Sequence, residues 1–111
     1  YPWGNQEPDC TLVNMAGCGD AAETVGSHEA GASPYGALDM AGNVVELVAD
    51  FYDETYYQSS PTNDPTGPAT GTRYVGRGGG YKSVAEWQRA SSRDWYDTTD
   101  ASKSMGFRCA R

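Results

Sequence analysis

Residues 33–50, with the sequence SPYGALDMAGNVVELVAD, constrain the fold of this chain more than any other stretch. Gly42 and Asn43 form a dipeptide typical of turns, and two acids, Asp39 and Glu46, lie on either side of it. A turn here folds the chain back, so both carboxylates can reach one position in space. The stretch therefore predicts a turn that holds a cation and positions the loops around it.

Two strands are predicted beside this turn. Residues 44–51 are apolar enough for a buried strand. Glu46 and Asp50 would suit a short helical turn equally, but the two leading valines are β-branched and favour the strand. Residues 72–77 alternate polar and bulky side chains and predict a second strand. It runs into three glycines, which indicate backbone that passes close to another strand or adopts positive φ.

The rest of the chain is predicted to be mostly loop. Residues 85–92 fit either a short helix or a strand, and residues 106–111 read as a closing strand. Residues 52–72 form a loop of unusual length, which is expected to have a function or to be pinned at several points. With 14 Gly and 6 Pro in 111 residues, the chain is expected to form one loop-rich domain.

The net charge of the chain limits the classes of partner that it is expected to bind. Fifteen acids and eight bases give a formal net charge of -7, which argues against a nucleic-acid partner and is compatible with cation binding. No apolar run approaches the roughly 18 residues that span a bilayer, so membrane insertion is not expected.

The three cysteines predict one local disulfide. Cys10 and Cys18 are eight residues apart in a glycine-rich loop, and a bridge between them would need an oxidising, extracellular or periplasmic compartment. The alternative is three buried or reduced thiols. Cys109 is left without a partner in this chain.

Seven motifs, in this order, resemble those of the formylglycine-generating enzyme (sulfatase-modifying factor) family, and together they cover essentially the whole chain. They are Tyr1-Pro-Trp-Gly-Asn5, Gly36-Ala-Leu-Asp-Met-Ala-Gly-Asn-Val44 with Glu46, Asp50-Phe-Tyr-Asp53, Asn63-Asp-Pro-Thr-Gly-Pro68, Arg77-Gly-Gly79, Arg89 with Arg93, and Gly106-Phe-Arg-Cys109.

The resemblance implies a C-type-lectin-like fold of the α+β class, irregular and loop-rich, with a small twisted antiparallel sheet. Relatives usually begin with further sequence that includes two helices. Residues 1–111 are therefore expected to be a single domain that forms the C-terminal portion of the family's domain. In relatives the cysteine of the closing strand tends to pair with an upstream cysteine, which would explain the unpaired Cys109.

The activity of the family is not expected in this chain. Its catalytic members oxidise a substrate cysteine to formylglycine with molecular oxygen, and they use two cysteines that hold copper(I). The segment that should carry this pair, residues 80–93, contains no cysteine. A copper-dependent formylglycine-generating oxidase that acts on sulfatase cysteine is therefore kept only as an alternative, as is a structural or assembly domain.

The resemblance also implies calcium as the cation of the turn. Its ligands would be the side chains of Asp39 and Glu46 and the carbonyls of Gly42 and Val44, the hard oxygen donors that calcium requires. The competing interpretation is that Asp39 caps a turn and that Glu46 pairs with an arginine such as Arg77 or Arg108. A second family calcium site would fall on a different loop. Its ligands would come from Asn14, Met15, Asp20 and Ala22.

We therefore expect a non-catalytic, calcium-stabilised ligand-binding module, of the kind found in variable ligand-binding proteins and in sensor domains attached to bacterial kinases. Its ligand surface is predicted in residues 81–105, which mix rigid aromatic with polar side chains. The alternative is that Trp87 packs in the core and the rest is solvated loop. The ligand would be a protein, peptide or glycan, and the missing N-terminal half of the domain or an attached kinase or sensor is a further candidate partner. The residues proposed to contact the ligand are Trp87, Arg89, Arg93, Asp94, Trp95, Tyr96 and Asp97.

Overall fold

The computed structural model describes residues 1–109 and contains a small mixed sheet surrounded by loops. Its strands are β1 (Val45–Phe51), β2 (Arg73–Arg77), β3 (Asp94–Asp97) and β4 (Met105–Gly106). The helical segments in this part of the chain are 3₁₀ helices at Glu29–Gly31, Tyr56–Gln58 and Ala85–Gln88. The loop-rich fold class predicted from the sequence is confirmed.

The sheet has the order β3-β2-β1-β4, so the two strands predicted beside the turn are its centre. β1 pairs with β2 and β2 with β3, both antiparallel, while β4 runs parallel to β1. The short closing strand therefore departs from the expected antiparallel arrangement. It also ends earlier than predicted. The last two residues of the predicted strand, 110 and 111, lie outside the described residues.

The structure shows which secondary structure is formed by the two segments for which the sequence left a choice between helix and strand. Residues 45–51 of the predicted segment form a strand rather than a helical turn, and residues 85–88 form a 3₁₀ helix. β3 was not predicted, because its sequence, Asp-Trp-Tyr-Asp, has no alternation of polar and apolar residues; the structure nevertheless shows alternating half-buried and exposed side chains along it. It is an edge strand of the sheet and carries four of the residues of the predicted ligand surface.

The hydrophobic core is small and sits beneath the turn. Leu12, Val13 and Ala41 form a buried cluster against which Trp3 and Met15 pack. The predicted disulfide between Cys10 and Cys18 is confirmed, with a Cα–Cα distance of 5.3 Å, and it closes the loop that contains Leu12 and Val13. A covalent link of this kind supports a domain whose core alone buries little surface.

The long loop between β1 and β2 is pinned at several points, as its length led us to expect. Arg93 donates hydrogen bonds to the carbonyls of Asp53 (2.8 Å) and Glu54 (3.1 Å). The Arg93 guanidinium also lies over the rings of Tyr52 and Tyr57. The loop is thus held against the beginning of β3. Within residues 1–109, no helix is long and apolar enough to cross a membrane.

Candidate functional site

The turn at Gly42 and Asn43 has a left-handed backbone, with φ of 74° and 62°. A Cβ on Gly42 would lie 2.2 Å from Val13 Cγ2 and 2.6 Å from the Asn14 carbonyl oxygen, so only glycine fits. Asparagine is among the few other residues that tolerate this conformation. The turn therefore needs glycine at position 42 for steric reasons, in addition to the general preference of Gly-Asn for turns.

The Asn43 side chain ties the turn to the loop before it. Its Oδ1 accepts a hydrogen bond from the backbone N–H of Glu23 at 2.7 Å, and its Nδ2 donates to the Glu23 carbonyl at 3.2 Å. The backbone N–H of Asn43 donates to the Asn14 carbonyl, and that of Gly42 donates to the Gly78 carbonyl, both at 2.8 Å. The turn thus contacts both the N-terminal loop and the segment that follows β2, which fits the organising role predicted for it.

The four residues predicted to hold calcium at this turn line one cavity of about 560 Å³. They are Asp39, Gly42, Val44 and Glu46, two carboxylates with two backbone carbonyls between them. Asp39 has a φ of 51°, and its Oδ2 accepts a hydrogen bond from the Gly26 N–H at 2.6 Å. The structure therefore places the four predicted residues around one cavity, and oxygen donors of the predicted kinds suit calcium.

Glu46 also makes the arginine pairing that was the competing interpretation. Its partner is Arg108 rather than Arg77, and the Arg108 Nε lies 2.9 Å and 2.7 Å from the two carboxylate oxygens. This hydrogen bond and the charge of Glu46 raise the pKa of Arg108. A cation at the turn would therefore compete with this guanidinium for Glu46.

The second predicted calcium site is only partly assembled. Asn14 is 1% exposed and its Oδ1 has no hydrogen-bond partner among the described residues. That atom, Glu23 Oε1 and the Ala21 carbonyl oxygen lie 3.4, 3.5 and 4.0 Å from the position that a Cβ on Gly19 would occupy.

The other three residues predicted for this site lie in the same loop. Asp20 and Ala22 are exposed, and Met15 is half-buried against the core. The buried, unpartnered Asn14 oxygen fits a cation, with Glu23 Oε1 and the Ala21 carbonyl oxygen as further neighbouring donors. Glu23 Oε2 in turn lies 2.9 Å from His28 Nε2.

Neither arrangement is a cluster of ionisable side chains. In residues 1–109, no group of three or more His, Cys, Asp or Glu side chains is placed to hold a metal ion. A cation would therefore depend on backbone carbonyls and an amide oxygen as well as on carboxylates, which is a donor mixture that calcium accepts and softer metals do not favour.

Four of the seven residues predicted to bind a ligand line a single cavity of about 180 Å³ at the start of β3. Its floor is formed by Gly76, Gly78 and Gly79, and serines from the flanking loops complete its wall. Trp87 is 44% exposed, so the alternative that it packs in the core does not hold. The four residues are Trp87, Arg93, Asp94 and Tyr96.

The other three predicted ligand-binding residues lie elsewhere. Trp95 and Asp97 project from the opposite face of β3, since successive side chains of a strand alternate. There the Arg73 guanidinium stacks 3.5 Å from the centroid of the Trp95 ring, and Arg73 Nε donates to Asp97 Oδ1 at 3.3 Å. Arg89 is exposed and does not line the cavity.

Gly76 decides the shape of this cavity. A Cβ on Gly76 would lie 2.4 Å from Cε2 of Tyr96, so the Tyr96 ring lies across the glycine. Burial raises the pKa of Tyr96, and the charges of Asp94 and Asp100 raise it further. The phenol therefore stays protonated and can donate a hydrogen bond. The sequence predicts close approach or positive φ for Gly78, Gly79 and Gly80, and Gly78 and Gly79 have φ of 83° and 64°. Gly76 is not singled out by the sequence.

A larger groove of about 740 Å³ lies along β1 and has mainly apolar walls, including Tyr35, Met40 and Leu47. Glu46 is the only predicted site residue among its described lining residues. Its size does not make it the functional centre, because the predicted polar and aromatic groups converge on the smaller cavity.

Comparison with known proteins agrees with this architecture. A model of the sulfatase-modifying factor enzyme 1-like domain matches residues 1–111. The formylglycine-generating enzyme of Streptomyces coelicolor is 42% identical over 79 residues, which cover 68% of this chain and 25% of the enzyme. The serine/threonine-protein kinase pkn1 of Chlamydia caviae is 40% identical over 113 aligned positions, which cover the whole chain and 18% of the kinase.

The solved structure of Treponema denticola variable protein 1 superposes with a TM-score of 0.78 at 26% identity, over 87% of this chain and 34% of that protein. The chain thus spans a quarter or less of the length of these two curated relatives.

Proposed function

Because the chain belongs to the sulfatase-modifying factor enzyme 1-like family, we propose that it is a calcium-stabilised ligand-binding module built on that scaffold. The observation that carries the proposal is the convergence of Trp87, Arg93, Asp94 and Tyr96 on one cavity. Rigid aromatic walls beside polar groups are typical of recognition surfaces. The likeness to a variable protein supports a binding role for the scaffold.

The size and the lining residues of the cavity limit the ligand groups that it could bind. A volume of about 180 Å³ corresponds to roughly six water molecules, which suits one side chain of a protein or peptide or one sugar ring. Arg93 contributes mainly its stem, since its guanidinium is bound to the long loop. Asp94 accepts the Trp95 N–H on one oxygen, and the Tyr96 hydroxyl supplies a donor. The ligand group would therefore be compact, partly apolar and capable of hydrogen bonding.

Calcium has a structural role in this proposal. It would be held by Asp39, Gly42, Val44 and Glu46, and a second ion by Asn14 with Glu23 and Ala21. Both sets lie on the loops that the Asn43 side chain joins. The ion would supply charge that holds carboxylates and carbonyls together, and the binding cavity would keep its shape because the turn contacts Gly78.

The proposal includes the cellular location of the module and the domains to which it is attached. The disulfide fits an extracellular or periplasmic location, and the kinase relatives fit a domain attached to a kinase or sensor. The further segment of the family's domain would then be a partner of this chain.

A display experiment tests the binding role. The folded protein is panned against a random peptide library and applied to a glycan array, and any binder is retested on Trp87→Ala and Asp94→Asn. Trp95→Phe and Asp97→Asn are matched controls on the opposite face of the same strand. Binding is expected to fall at least tenfold in the first pair only. Equal loss in both pairs, or no binder on either platform, would remove the cavity as the ligand site.

Calcium dependence is tested by melting the protein with calcium and with chelator. Calcium at a hundredfold excess over its Kd adds about 2.7 kcal/mol, which raises Tm by roughly 10 °C in a domain of this size. Asp39→Asn keeps the acceptor for Gly26 but removes a charge, so it should lose much of the shift. Asp64→Asn is the control, because Asp64 is exposed and has a similar φ of 46°. No shift in the unsubstituted protein would end the calcium proposal.

A direct activity assay distinguishes the copper-dependent oxidase from the proposed binding module. The protein is loaded with copper(I) and given a cysteine peptide, and oxygen uptake is followed. We expect no uptake, since the described residues that line the cavity include no cysteine. Measurable turnover would favour the oxidase.

A further inference from the structure

Arg108 lies 62 residues from Glu46 in sequence and binds the predicted calcium turn with all three of its guanidinium nitrogens. Nε donates to both oxygens of Glu46, and Nη2 donates to Glu46 Oε1 at 2.5 Å. Nη2 also donates to the Asp39 carbonyl at 2.7 Å, and Nη1 donates to the Leu38 carbonyl at 3.0 Å. The guanidinium is therefore a built-in cation at this turn.

This contact occupies the carboxylate that calcium would need. Both oxygens of Glu46 face the guanidinium, and Arg108 lines the same cavity as the four predicted calcium donors. The Glu46 side chain is only 19% exposed, so water screens its charge poorly. A divalent ion beside a guanidinium on one shared carboxylate is repelled by it.

We propose that Arg108 is the resident counter-ion of the turn and that calcium binds there by displacing Arg108 from Glu46. The inference rests on the calcium site of the proposed function. Arg108 belongs to the segment that follows β4, and β4 is paired to β1 through two residues. Displacement would loosen residues 107–109 from the turn, so calcium binding and docking of this segment oppose each other. By linkage, whatever holds the segment in place weakens calcium binding by the same factor.

Calcium titration of chelator-treated protein by calorimetry tests the competition. Arg108→Gln removes the guanidinium and should bind calcium roughly tenfold more tightly than the unsubstituted protein. Arg89→Gln is the matched control, since Arg89 is exposed and does not touch the turn or the cavity. Arg108→Lys keeps the charge without the planar fork and should fall between the two. It also covers the case in which Arg108→Gln fails to fold.

A second readout follows the arginine itself in the unsubstituted protein. In the NMR spectrum the Arg108 Nε–H signal should be shifted and protected without calcium, and should move towards the position of a solvated arginine as calcium is added. The Arg89 signal should stay constant. A calcium-saturated protein with an unmoved Arg108 signal would overturn the displacement.

The outcomes distinguish this inference from the calcium proposal on which it rests. Equal calcium affinity in Arg108→Gln and in the unsubstituted protein refutes the competition and leaves the calcium site standing. Binding by Arg108→Gln alone supports the competition and removes calcium as a stabiliser of the unsubstituted protein. Absence of binding by every variant removes both.

Discussion

The Asn43 side chain gives the most exact prediction, because its contribution can be worked out from its contacts. Asn43→Ala removes two hydrogen bonds to the backbone of Glu23, at 2.7 and 3.2 Å, which are worth about 1 kcal/mol each. Alanine must also adopt the left-handed backbone, with φ of 62°, at a cost of about 1 kcal/mol. The third contact, from Asn14 Nδ2 at 3.4 Å, is long and adds little.

The expected loss for Asn43→Ala is therefore about 3 kcal/mol, a large part of the roughly 5–15 kcal/mol that stabilises a typical domain. Asn43→Gly keeps the left-handed backbone without strain and should lose about 2 kcal/mol. Urea unfolding followed by tryptophan fluorescence gives both values. The difference between the two variants isolates the backbone cost from the side-chain bonds.

The control is Asn63→Ala, at an exposed position, which should change stability by no more than about 0.5 kcal/mol. A loss below about 1 kcal/mol for Asn43→Ala would refute the role of the turn as the organising contact between the loops. A loss equal to that of Asn43→Gly would instead show that the left-handed backbone costs alanine nothing here.

Three further predictions concern the cavity and the disulfide. Gly76→Ala forces the Tyr96 ring to move, and should cost about 1–3 kcal/mol in urea unfolding and change ligand binding, whereas an unchanged protein would mean that the ring has other room. Because the pKa of Tyr96 is raised in the fold above its ordinary value of 10.0, the stability it contributes is complete below pH 10 and is lost as pH rises through the folded pKa. The absorbance difference between the protein and Tyr96→Phe should therefore titrate above pH 10, and Asp94→Asn should lower that midpoint; a midpoint at or below 10 contradicts the burial argument. Replacing Cys10 and Cys18 together by serine should cost about 2–3 kcal/mol from the loop that the bridge closes, and no loss in urea unfolding would show that the core alone fixes this loop.

The sequence determined the features that depend on neighbouring residues. The Gly42-Asn43 dipeptide favours a turn, the alternating polar and bulky residues of 72–77 favour a strand, and the short spacing of Cys10 and Cys18 allows their bridge. Each rests on local geometry, and each is confirmed.

The pairings between distant segments follow from the tertiary fold and not from local sequence. Glu46 could have faced Arg77, its partner in the sheet register, but the parallel pairing of β4 carries Arg108 to the turn instead. The alternation along β3 divided the predicted ligand-binding residues between two faces, because β3 is a strand and not a loop. Which distant groups meet depends on how the whole chain closes, and spacing along the sequence does not specify that.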